Sequence, residues 1–171
     1  MVDGNNGKSN GNAIKTVNYA GIFKKIDDIP ELRIELERIF DSKSHKEMVE
    51  YCLLLGQHIL KITGMEPGGE IMESFEINKK WLNGGTGRGF AKFQMARDAA
   101  GKLLNIARNE KDPIRQKVYR VMAQIANSPH VKDHALWASD YAVKLVNTMY
   151  PHNFDEVKKE REKQIELMES V

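Results

Sequence analysis

The sequence predicts an all-α protein, a single-domain helical bundle of about seven helices whose neighbours run mostly antiparallel. Three observations lead there. Apolar residues recur every three or four positions through one segment after another. Cap and stop signals divide the chain into helix-sized lengths joined by short connections. No convincing alternating run of five or more residues reads as a strand.

The elements follow in order. Residues 1–16 open with MVDGNNGKSNGN, too polar and glycine-rich to offset the entropy of ordering, so a flexible tail is expected there. One domain is expected over residues 17–171. Pro30 to Phe40 carries Leu32, Leu36 and Ile39 at helical spacing. Ser44-His45-Lys46-Glu47 is a capping box that opens a helix to about Ile62, closed by Gly64. Glu70 to Leu82 carries Ile71, Phe75 and Trp81 and stops at Gly84-Gly85. Phe90 to Arg108 places Phe93, Ala96, Ala100, Leu103 and Ala107 on one face. Asp112-Pro113 starts a fifth helix to Ala126, and Ser128-Pro129 a sixth to Met149. Each pairs a capping side chain with a proline whose missing N–H costs nothing at the first helical position. Asn153-Phe154-Asp155-Glu156 resembles a further capping box, opening a last helix to about Glu169.

Composition narrows the function classes. A chain of 171 residues can bury a real core, and 41% hydrophobic with 29% charged residues is ordinary for a globular domain. The net charge of +2 weighs against nucleic acid as a partner. The single cysteine, Cys52, cannot form an internal disulfide, which suits a reducing cytoplasm. No apolar run approaches a membrane span of roughly 20 residues, and the N-terminus lacks a signal-peptide core. The near-neutral total hides a segregation. Asp27 to Glu76 holds 12 acidic and 5 basic side chains, whereas Arg88 to Arg120 holds 9 basic and 3 acidic ones. The two regions either face each other or cover separate surfaces; a charged patch of one sign could steer a partner of the other.

Four features could carry chemistry. His130, Asp133 and His134 set two imidazoles one turn apart on the expected sixth helix, as in helical zinc sites. A third ligand and the glutamate of a metalloprotease motif are both missing, and His134 runs along the apolar line Val131, Ala135, Ala138. A structural or partner-contact role is the better reading. Gly84-Gly85-Thr86-Gly87-Arg88-Gly89 could wrap a phosphate at a helix N-terminus. Without a preceding strand or a following Lys-Ser/Thr pair it reads as a flexible linker. Cys52 among Leu53, Leu54 and Leu55 reads as a small core residue. Trp81, Trp137, Tyr141 and Tyr150 read as core, with any exposed Trp a candidate binding anchor.

The run from Cys52 to Val146 resembles a family of bacterial putative immunity proteins from polymorphic toxin systems. The matching residues are Cys52 with His58-Ile59-Leu60, Trp81-Leu82-x-Gly84, Asp112-Pro113, Arg120 and Gln124. They continue in His130-Val131-x-x-His134-Ala135, the most specific part, and Tyr141-Ala142-x-Lys144. The chain departs from the family pattern at Pro67-Gly68-Gly69, in the glycine-rich insertion before Phe90, and at Asn127-Ser128-Pro129. The resemblance implies a cytoplasmic protein that binds and neutralises a cognate toxin, with no cofactor, no metal and no turnover. Partner-binding or family-motif candidates are Trp81, Arg120, His130, Asp133, His134, Trp137 and Tyr141. Two alternatives stand beside it. One is a metal-binding protein or hydrolase using His130, Asp133 and His134, with His58. The other is an anion or nucleic-acid binding module using the basic middle.

Overall fold

The computed structural model describes residues 16–23 and 25–171, so the expected tail falls outside the described residues up to position 15. A 3-10 turn at Gly21–Phe23 precedes seven helices, and no strand occurs among the described residues. They are α1 (Pro30–Ser42), α2 (His45–Thr63), α3 (Gly69–Leu82), α4 (Ala91–Asn109), α5 (Pro113–Asn127), α6 (His134–Met149) and α7 (Phe154–Glu169).

Most boundaries form as the local chemistry dictates. The Glu47 amide donates to the Ser44 hydroxyl while the Ser44 amide donates to the Glu47 carboxylate, closing the capping box that starts α2. Gly64 ends that helix in the left-handed region at φ 63°, which glycine adopts without steric cost. Asp112 caps α5 by accepting the Arg115 amide at 2.8 Å, and Asn153 caps α7 by accepting from Glu156.

The sixth helix corrects the sequence reading. It starts at His134, not at Ser128. Ser128 instead closes α5, its hydroxyl donating to the Ile125 carbonyl at 2.7 Å, so it does not serve as an N-cap. Its own carbonyl accepts the His45 Nε2–H at 2.7 Å. Residues 128–133 therefore form a turn, and His130 and His134 do not share a helix. A tertiary hydrogen bond and a side-chain bond to the preceding turn outweigh the Ser-Pro start signal.

Helix α5 is central. It packs along α4 on one side and α6 on the other, each joined to it by a short connection, and α2 and α3 also rest on it. Helix α1 packs on α7, which in turn lies on α6 and α2. Leu36, Met48, Leu55, Ile59, Leu103, Met122, Ile125 and Leu145 are fully buried. Gly56 allows a close crossing of α2 and α3: a Cβ there would meet Phe75 Cζ at 2.7 Å.

The α1–α6–α7 junction is polar inside. The Arg161 guanidinium, fully buried, donates to Asp28 at 2.6 Å, to Asp140 at 2.8 Å and to Gln164 at 2.8 Å. Arg33 donates to the same Asp140 at 2.7 Å. Burial alone would raise the Asp28 carboxyl, but the bonds from Arg161 outweigh it and hold the group below the usual carboxylate range. Gln164 extends the network to Glu160 and to the Ser139 carbonyl, and the Ser139 hydroxyl bonds that of Tyr51 at 2.6 Å. With nearly every lone pair and proton occupied, the two-Arg, two-Asp cluster is compatible with a buried position.

Candidate partner-binding face

The antiparallel α5–α6 hairpin is held at its closed end by His134. Its Nδ1–H donates to Gln124 Oε1 at 2.7 Å, and its Nε2 accepts from the Asn127 side-chain amide at 2.8 Å. Both ring nitrogens are used by the neutral tautomer. Burial, and then the neighbouring His130, push the imidazole down to about 4. The Trp137 ring meets that of His134 edge-on, with centroids 4.7 Å apart.

The sequence candidates separate by depth. Trp81 is 6% exposed and Tyr141 8% exposed, so both lie mainly in the interior. The Trp81 ring meets His45 at a tilt, centroids 5.0 Å apart, with the Lys92 ammonium over it, and Tyr141 packs at 4.7 Å against Phe23. Trp137, Arg120 and His130 are half-buried, and Asp133 is exposed on the turn. His130 packs against Phe93 at 5.7 Å. The hairpin thus brings Gln124, His134 and Trp137 together, with Arg120 one turn before Gln124 on α5. Tyr150 stands apart, 44% exposed at the end of α6.

The chemistry available elsewhere is different. Among the described residues, no group of three or more His, Cys, Asp and Glu side chains is arranged to hold a metal ion. His58 is engaged with α7, its Nε2–H donating to Glu160 at 2.7 Å. This pair lies in a cleft of about 360 Å³ also lined by Glu156, Lys159, Tyr150 and Met149. A carboxylate-oriented imidazole is a general-base arrangement, but no Ser, Thr or Cys lines the cleft. Cys52 is fully buried, and burial pushes its thiol up to about 12 despite the opposing influence of the Ser128 side chain. The glycine-rich segment forms turns between α3 and α4, with Gly84, Gly87 and Gly89 at positive φ. No described helix is long and apolar enough to cross a membrane.

Sequence reasoning passed over Lys117, the Asp28–Asp140–Arg161 cluster and the His58–Glu160 pair. The latter two join residues 133 and 102 positions apart in sequence, which no local pattern can signal. Lys117 was legible only as one of the cations in the basic middle.

An all-helical fold with a hydrogen-bonded hairpin at its centre defines a class of proteins and not a reaction. The comparison with family models goes further: the model for the Imm-5 like putative immunity protein family matches residues 38–171. The chain belongs to that family. No curated protein and no solved structure matches it.

Proposed function

We propose that this chain confers immunity by binding a cognate toxin protein and covering its active or docking surface, as a cytoplasmic protein that performs no turnover. The observation that carries this reading is family membership across α2–α7, together with what the motif residues do. Gln124 and His134 bond each other and fix the shape of the α5–α6 hairpin, while Trp81 and Tyr141 pack behind the surface. Arg120 and Trp137, half-exposed on the hairpin, are of types enriched among interface anchors. His130 and Asp133 flank them on the turn.

The test is co-expression with the toxin candidate encoded beside this chain, paired with measured binding. Arg120→Ala and Trp137→Ala should each weaken the complex by at least ~2 kcal/mol and reduce rescue. The thermal midpoint of Arg120→Ala should stay close to that of the parent, while Trp137→Ala should remain folded but melt lower, because its ring also packs on His134 and the core. Rescue that persists without a complex, or that follows turnover of a small substrate, overturns the proposal.

A further inference from the structure

Lys117, Arg120 and Lys144 lie on the α5–α6 hairpin, and among the described residues none has a counter-ion. Lys117 and Arg120 lie three positions apart on one face of α5, and Lys144 lies on α6, which packs along it. All three are half-buried. Among the described residues, no carboxylate pairs with any of them and their side chains make no hydrogen bond. The Lys117 ammonium is held below its usual range by burial, then by the charges of Lys144 and Arg120, with no carboxylate opposing them. Several other cations do have carboxylate partners, and others without one, such as Lys61, Lys80 and Arg108, are exposed. Arg33 and Arg161 share Asp140, Lys102 reaches Glu73 at 3.1 Å, and Arg115 reaches Glu110 at 3.2 Å.

Crowded like charges with reduced hydration oppose folding. Nothing in the described part of the chain relieves that repulsion, so an external group of negative charge would be bound with a gain on both sides. Three cations on two helices packed along each other suit a short acidic protein segment. They do not form the extended basic track that follows a nucleic-acid backbone.

We propose that the Lys117–Arg120–Lys144 face docks a cluster of carboxylates on the partner protein. This rests on the reading of the chain as a toxin-binding protein and names the chemistry of the surface it recognises.

The probe is a fluorescently labelled peptide of ten glutamates, titrated with the full chain at low salt and followed by anisotropy. Saturable binding is expected. It should weaken at least tenfold in Lys117→Gln/Arg120→Gln/Lys144→Gln and change little in Lys79→Gln/Lys158→Gln/Lys159→Gln, which removes the same charge from exposed sites on α3 and α7. The first triple variant should also melt no lower than the parent, because it removes repulsion. If it fails to fold, Arg120→Gln and Lys144→Gln singly carry the same comparison. Absent binding, or equal weakening by both triples, overturns the proposal. So does tighter binding of a ten-nucleotide thymidine strand through the same three residues, which would assign the face to nucleic acid. The toxin arm separates the two proposals. A toxin complex indifferent to the first triple variant removes this face and leaves immunity standing. Peptide binding at these residues with no toxin complex supports the face and removes immunity.

Discussion

His134 ties the hairpin together through both ring nitrogens. In the folded chain its two nitrogens are committed to Gln124 and Asn127 and its pKa is about 4, against 6.5 for the free side chain. The unfolded chain therefore binds the extra proton between those values. Stability from this residue is complete above about pH 6.5, declines as pH falls, and stops declining near pH 4. Because the ring keeps some contact with water, the loss between pH 7.5 and pH 5 should be roughly 1–2 kcal/mol. Urea unfolding at the two pH values checks this, and His134→Gln should flatten the difference. A second residue-scale outcome concerns Asp140, which receives bonds from both Arg33 and Arg161 in the interior. Asp140→Ala leaves two buried guanidinium groups short of charge and should cost roughly 3–5 kcal/mol in chemical denaturation. A loss below 1 kcal/mol would mean that water reaches the cluster.

At the scale of elements, helix crossings decide which substitutions are tolerated. Glycine inside a helix is normally worse than alanine by roughly 0.5–1 kcal/mol. Gly56 should reverse that order, because its missing Cβ is where the Phe75 ring sits. Gly56→Ala should lower stability by roughly 1–3 kcal/mol, and Gly56→Ala/Phe75→Leu should recover part of it; a rise in the melting temperature of the single variant would contradict the close crossing. The helices themselves were legible from apolar period and caps, since Ser44, Asp112 and Asn153 act through neighbours three positions away. The start of α6 was not. Ser128-Pro129 carries a valid local signal, but the partners of Ser128 are Ile125 and the distant His45. The candidate site shows the same division. Arg120, His134 and Trp137 could be named from sequence, but the bonds of His134 to Gln124 and Asn127 depend on how the turn at 128–133 folds back.

At the scale of the molecule, the segregated charges do not neutralise one another. Among the described residues, Lys102–Glu73 is the ion pair that joins the acidic stretch from Asp27 to Glu76 with the basic stretch from Arg88 to Arg120. With that one pair between them, little of the charge of either stretch is paired with the other, which leaves both free to orient an approaching protein. Long-range pairing went instead to the interior, where Arg161 gathers Asp28 and Asp140 from distant parts of the chain. Position in sequence does not reveal which charges meet there; only the packing of α1 and α6 against α7 does.

The most direct measurement of the central claim is a titration of purified toxin candidate with this chain, recording toxin activity and complex formation in the same samples. Neutralisation by binding predicts that activity falls in proportion to the complex formed and stops falling once every toxin molecule is occupied. Inhibition that continues to grow with time at a small fraction of the toxin concentration, or that occurs with no complex, would contradict it.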